Sequence, residues 1–172
     1  MANDLWATPK YIFDWLDREF HFTIDCAANE INTKCKRWYD EECNSLKQFW
    51  SDWDNEVCWL NPPYSNPSLW VQKAYEESLK GCTVVCLLPS DTSTKWFHEW
   101  VIGKAEVRFV QGRICFECPD GNGGYNPNFK NSPTFGSVII IYKNGIIPKC
   151  IGVKRPDKPK PMLQNNQTQS QY

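Results

Sequence analysis

The sequence predicts an α/β fold, a single-domain three-layer sandwich with a mostly parallel sheet and an antiparallel C-terminal strand. Three observations lead there. Fully apolar runs too short for helices, Val57–Leu60 and Thr83–Leu88, read as strands buried on both faces. Amphipathic stretches with helix start and stop signals alternate with them. The polar segments after Asp25, Leu60 and Leu88 all follow strands, where open α/β sheets hold ligands. The domain is expected over residues 1–153, with a flexible polar tail over 154–172 rich in Pro, Lys, Gln and Asn.

In chain order, Thr8 is predicted as an N-cap and Pro9 as the first residue of a helix. Ile12, Phe13, Leu16 and Phe20 form its apolar stripe, with Asp14, Asp17, Arg18 and Glu19 beside it. Its N-terminus suits either plain docking or an anionic ligand group. A strand from Phe22 then ends in Asp25, followed by Cys26-Ala27-Ala28. Small residues let a ligand approach the backbone, and an acid there accepts from a ligand ammonium or simply closes an Asx turn. No GxGxxG is present. Glu30 to Asn55 is polar and irregular, with charge runs typical of solvated surface. Asn44-Ser45-Leu46 is read as a loop after a short strand, with Trp50 and Trp53 packed under the segment from Asn61 to Tyr64.

Asn66 and Pro67 open a second helix with a stripe of Leu69, Trp70, Val71, Ala74 and Leu79, a Glu76–Lys80 pair, and Gly81 as its stop. Pro89 ends the next strand, and Ser90 to Thr94 is a polar loop. Trp96, Phe97, Trp100 and Val101 mark a third helix closed by Gly103; His98 on it has nothing at ligand spacing. The remainder reads as β-rich. Val107–Val110 leads through Gly112-Arg113 to Ile114–Phe116, a long Gly/Asn/Pro-rich loop spans Asp120 to Pro133, and a strand runs from Ser137 to Tyr142.

The formal net charge of −1 excludes a purely electrostatic nucleic-acid binder but allows a local basic surface. Nine Trp, nine Phe and seven Tyr predict a packed globule. Met1 to Trp6 has no signal-peptide pattern and no apolar run is membrane-length, so a cytoplasmic protein without a membrane partner is expected. The nine cysteines then read as reduced thiols, with Cys82 and Cys86 as small core residues. Cys115-x-x-Cys118 lacks a second pair, so no metal is expected.

The chemistry concentrates in Asn61-Pro62-Pro63-Tyr64. Two prolines stop the preceding strand, and Pro62 holds Asn61 extended. The result is a stiff loop carrying an amide, a carbonyl and an aromatic ring. An exocyclic amine on an aromatic ring is a poor nucleophile because its lone pair is delocalised. If Asn61 and the Pro62 carbonyl accept its two hydrogens, the nitrogen is drawn toward tetrahedral geometry and the lone pair is freed. The ring of Tyr64, rather than its hydroxyl, is expected to hold the substrate by stacking.

Trp6-x-Thr8-Pro9, Ile24-Asp25-Cys26-Ala27-Ala28, Leu60-Asn61-Pro62-Pro63-Tyr64, Leu88-Pro89-Ser90-Asp91-Thr92-x-x-Lys95-Trp96 and Gly112-Arg113-Ile114-x-Phe116 together resemble the phage-type DNA N6-adenine methyltransferases. The resemblance implies a Rossmann-like fold and S-adenosylmethionine as cofactor. It implies a cofactor site of Thr8, Pro9, Asp25, Ala27, Ala28 and Asn44, with Asn61, Pro62, Pro63 and Tyr64 at the adenine and Phe116 stacking from the other side. It further implies double-stranded DNA as partner, met by Lys95, Arg113 and the 120–133 loop, a monomer or weak dimer, and the host bacterial cytoplasm if the protein is phage-encoded. Asp-x-Ala-Ala stands where the wider superfamily is Gly-rich, and Asn44 where many relatives present an acid to the cofactor adenine. The acid for the ribose is left open among Glu30, Asp40, Glu41 and Glu42. Methyl transfer to an amino group of RNA or of a protein glutamine, or an inactive nucleic-acid-binding relative, are the alternatives.

Overall fold

A computed structural model describes residues 4–51, 55–126 and 133–159. Among these residues three α-helices, α1 (Lys10–Phe20), α2 (Pro67–Leu79) and α3 (Lys95–Trp100), accompany eight strands. These are β1 (Ile24–Asp25), β2 (Val57–Leu60), β3 (Thr83–Pro89), β4 (Glu106–Gln111), β5 (Cys118–Pro119), β6 (Tyr125–Asn126), β7 (Ser137–Tyr142) and β8 (Lys149–Lys154). Six strands form one sheet in the order β1-β2-β3-β7-β4-β8, and β5-β6 form a small antiparallel pair. In the large sheet only β7 runs against its neighbours β3 and β4; β4 and β8 are parallel, as are β1, β2 and β3. The fold is therefore α/β with a mostly parallel mixed sheet.

The period-2 alternation of the strands divides the core. Ile12, Phe13 and Leu16 of α1 pack against Trp59, Val85, Leu87, Ile139 and Ile141 on one face. Val71 and Ala74 of α2, with Trp96 and Phe97 of α3, pack against Cys58, Leu60, Val84, Cys86, Leu88 and Ile140 on the other. Burying each such side chain is worth roughly 1.5–3 kcal/mol. Helices on both faces leave the strand ends as the places open to a ligand.

Several expectations need correction. Thr8 is not the N-cap of α1; Pro9 occupies that position, with ψ 140°. A residue before proline is held extended, and Ala7 is already paired with Glu117, so the helix starts only at Lys10. The antiparallel strand β7 is not the last one: β8 follows it at the sheet edge and includes Lys154, where the polar tail was expected to begin. Ile114–Phe116 is not a strand; the pairing nearby is a bridge between Ala7 and Glu117. The segment before Asn44 makes a single bridge, Trp38 to Asp25, rather than a strand. The 120–133 loop opens with the β5–β6 hairpin, whose turn Asp120 closes by accepting from the N–H groups of Asn122 and Gly124. Trp53, residues 127–132 of that loop and residues 160–172 of the expected tail lie outside the described residues.

Helix α2 departs most from its predicted stripe. Leu69 and Leu79 are exposed, whereas Glu77 is fully buried with Val71, Ala74 and Ser78. The carboxylate is completely partnered. It accepts from Lys73 at 2.7 Å, Lys80 at 2.8 Å, the Trp50 N–H at 3.0 Å and the Ser51 hydroxyl at 3.1 Å. Lys80 thus pairs with Glu77, not with Glu76, which accepts from Gln72 instead. Burial alone would raise the Glu77 pKa, but the lysine and Trp50 hydrogen bonds bring it down to about 2.

Glu77→Ala strands the nearly buried Lys73 and the Trp50 N–H, and is expected to cost about 3 kcal/mol in urea unfolding at pH 7. Because the folded pKa is depressed, this contribution is present above about pH 4.5 and is lost as pH falls toward 2. The gap between wild type and variant should therefore narrow across that window; a gap unchanged down to pH 2 would contradict the assignment.

Candidate active site

The parallel strands β1, β2 and β3 end on one edge of the sheet, and a cavity of about 610 Å³ opens there. That volume suits a small-molecule site. Its wall includes Thr8, Asp25, Ala27, Ala28, Asn44, Asn61 and Pro63, which the sequence brings from four separate segments. Pro9, Pro62, Tyr64, Phe116, Lys95 and Arg113 do not line it.

Asp25 is held from both sides of β1. Its N–H donates to the Arg37 carbonyl, its carbonyl accepts from Tyr39, and the next residue, Cys26, donates to Trp59 on β2. The carboxylate accepts from the Lys34 N–H at 3.1 Å and the Ala27 N–H at 3.4 Å, the latter closing the Asx turn. Burial raises its pKa to about 6, with the Lys34 and Ala27 hydrogen bonds and the Lys34 charge opposing. An acid so placed lacks a full counter-charge and favours a cation arriving in the cavity. Nearby, the Thr8 Oγ1 is buried without a hydrogen-bond partner, an unmet polar group on the same wall.

Asn61 is fixed by its neighbours. Its Nδ2 donates to the Trp6 carbonyl at 3.2 Å, and its Oδ1 accepts from the Tyr64 hydroxyl at 2.7 Å. A carbonyl can only accept, so the amide end facing Trp6 must be the nitrogen, and the oxygen must face Tyr64. The same hydroxyl lies 3.2 Å from the Leu87 carbonyl on β3. The Tyr64 ring meets Phe116 and Phe135 edge-on, and Phe116 stacks on Trp6 at 5.6 Å. Phe116 is therefore buried behind Trp6 and Tyr64, and Trp6 is the member of this cluster on the cavity wall.

Asn44 sits in left-handed conformation (φ 49°) ahead of a short 3₁₀ turn, Ser45–Lys47, whose Ser45 hydroxyl donates to the Cys26 carbonyl at 2.6 Å. Among Glu30, Asp40, Glu41 and Glu42, only Asp40 and Glu41 reach the cavity. Trp50 is buried, donates its indole N–H to Ser45 and stacks with Trp70, a cavity residue, so it supports the Asn44 side of the site. Sequence reasoning missed Asn32, Lys34 and Tyr125. The Asn32 amide donates to the Tyr125 hydroxyl at 3.1 Å, tying the β5–β6 hairpin to the loop after β1. These residues are more than ninety positions apart (|i−j| of 93), and no local pattern announces such a contact. Lys95 and Arg113 are exposed, Lys95 facing Glu99 at 3.4 Å. Among the described residues no three His, Cys, Asp or Glu side chains gather as a metal-binding group, and no helix is long and apolar enough to cross a membrane.

A family model described as "DNA N-6-adenine-methyltransferase (Dam)" matches residues 1–160. The DNA N-6-adenine-methyltransferase of Escherichia phage T1 is 38% identical over 122 residues, 70% of this chain and 50% of that protein. Its namesake from Haemophilus phage HP1 (strain HP1c1) is 43% identical over 118 residues, 66% of each chain. The chain thus spans between half and two thirds of the length of these relatives.

In the ligand-free protein the Asp25 carboxyl, followed by carbon-13 NMR, is expected to titrate with a midpoint near pH 6. A folded pKa above the unfolded one means that Asp25 lowers stability as pH rises from about 4 to 6. A midpoint near 4 would show that burial does not govern this group.

Proposed function

The chain belongs to the DNA N-6-adenine-methyltransferase (Dam) family, and on that basis we propose that it methylates N6 of adenine in double-stranded DNA with S-adenosylmethionine as donor. The observation that carries this reading is the Asn61 amide, locked at the cavity wall with its oxygen oriented by Tyr64. We read the fold as the Rossmann-like arrangement of cofactor-dependent methyltransferases, with the site at the carboxyl ends of parallel strands.

The residues present fit the cofactor. The unpartnered Thr8 hydroxyl offers a hydrogen bond, Asp25 offers a carboxylate to an ammonium, and the small Ala27 and Ala28 keep the wall close to the backbone. Asn44 and either Asp40 or Glu41 complete the set for the nucleoside part. When bound, S-adenosylmethionine supplies an electrophilic methyl carbon on a positively charged sulfur. The target adenine must leave the helical stack to reach the cavity, at a cost of a few kcal/mol. Asn61 Oδ1 has a second lone pair beside the one used by Tyr64, and in this reading it accepts one N6 hydrogen while the other goes to the carbonyl of Pro62, which sits between the wall residues Asn61 and Pro63 without lining the cavity itself. Withdrawing those hydrogens from the ring plane makes the nitrogen lone pair available, and the excess proton leaves to solvent after transfer. Catalysis is positioning plus fixed dipoles.

Incubating the full chain with labelled S-adenosylmethionine and duplex DNA, RNA or a glutamine peptide should place label on N6-adenine of the duplex alone. Asn61→Ala should lower kcat by about 10³-fold while leaving cofactor affinity near normal, as expected for loss of a fixed dipole; near-normal turnover would refute its role. Since the Tyr64 hydroxyl orients the Asn61 oxygen, Tyr64→Phe should lower kcat about tenfold through loss of one hydrogen bond, where the sequence led us to expect tolerance. With an Asp25 pKa of about 6, roughly one molecule in ten carries the carboxylate at pH 5. Calorimetric affinity for the cofactor should therefore fall about tenfold from pH 7.5 to 5, and the dependence should vanish in Asp25→Asn.

A further inference from the structure

Strand direction places more than the cofactor cavity on the active edge. β4 and β8 are parallel in register Gln111↔Lys154, so both end at the level where β7 begins. The Ser90 N–H donates to the Gly136 carbonyl just before β7, which joins that end to the edge where β3 finishes. The segments after Leu60, Pro89, Gln111 and Lys154 therefore share one side of the sheet. From β2 to β8 the order β2-β3-β7-β4-β8 crosses four strand gaps, about 19 Å at the usual spacing.

The far end of this row is basic. Arg113 and Lys154 are exposed, and among the described residues neither makes an ion pair, nor does Arg155. Gly112 turns the chain with φ +83°, and Arg155 lies across it so closely that a Cβ there would stand 3.3 Å from Nε. The guanidinium is thus laid over a bare turn beside Arg113. Its Nη1 donates to the Pro156 carbonyl at 3.1 Å, and its shielded Nε has no acceptor. Asp157 follows three residues after β8's last residue Lys154 and is the nearby acid in sequence, with Lys158 next to it. The chain from Arg113 also leads within three residues to Phe116, which touches the Tyr64 ring.

We infer that Arg113, Lys154 and Arg155 form a row binding the phosphate backbone of the duplex, reaching beyond the flipped adenine along the carboxyl edge of the sheet. The inference rests on the methyltransferase reading above. Duplex DNA carries one charge per about 1.7 Å of axis, so about eleven lie within 19 Å of the target, and a guanidinium and an ammonium free of acidic partners are suited to them. Lys154 and Arg155, which composition presents as the start of a featureless tail, become part of the DNA surface. Its contacts carry no sequence information and set register and affinity.

The test measures duplex binding by the full chain over a range of salt. The double variant Lys154→Gln/Arg155→Gln should reduce the slope of log K against log salt by about 1.8, at about 0.9 per lost contact. The charge-matched control Lys104→Gln/Lys143→Gln, at the opposite edge, should change it by less than about 0.5. Retained cofactor binding and thermal unfolding report that each variant folds. An unchanged slope in the edge variant, or an equal loss in the control, overturns the phosphate row while leaving the methyltransferase reading intact if wild type still methylates DNA. Failure of wild type to bind duplex DNA at all overturns both.

Discussion

Asn61 is caught between two groups that leave its amide one orientation. The Trp6 carbonyl demands a donor, and the Tyr64 hydroxyl, which also reaches the Leu87 carbonyl, takes the remaining oxygen. Turning the amide over would set two carbonyl oxygens against each other at 3.2 Å, losing a hydrogen bond and adding repulsion. Pro62 and Pro63 stiffen the backbone beneath it. The oxygen proposed to accept from an amine is thus oriented in advance, and its orientation depends on three segments: the chain at Trp6, the end of β2 and the end of β3. Any slip of register among them moves the acceptor, so the sheet is the device that makes the site.

The Asp25 side of the cavity uses the opposite tactic. Here the backbone donors are too few to satisfy the carboxylate, and burial leaves it with a pKa near 6. A group in that state is under-stabilised when charged and gains most from a cation brought in by a ligand. Full partnering would make it resemble Glu77, whose two lysines and backbone N–H hold its pKa at about 2 and whose role is to fasten α2 to the Trp50 segment. Two buried acids in one small domain therefore separate by their partners: the saturated one is scaffold, the hungry one faces the cavity.

Much of this was legible in the sequence because it rests on local rules. The apolar runs at Val57 and Thr83, the Asn66-Pro67 start and the Pro-Pro stop each act within a few residues, and the structure keeps them. What the sequence hid is set by tertiary neighbours. The buried face of α2 rotated toward Glu77 because Trp50 and Ser51, far away in sequence, supply donors to it. β8 was invisible because its exposed residues follow no alternation; its partner β4 alone makes it a strand. Tyr64 was read as a ring because stacking is a property of the residue, whereas its hydroxyl contact with Asn61 is a property of the fold.

A chain of net charge −1 does not on its face suggest a partner as anionic as the DNA proposed above. The resolution lies in where the charges are spent. Lys73, Lys80, Arg108 and Arg37 each sit against a carboxylate, in Glu77, Glu19 with Glu106, and Glu56, which offsets their charge. Among the described residues without a carboxylate partner, Arg113, Lys154 and Arg155 stand together where β4 and β8 end, on the cavity's side of the sheet. Net charge averages over both populations, while a polyanion meets only the second. Within a Debye length of about 8 Å at physiological salt, the composition of a surface row outweighs the sum over the chain.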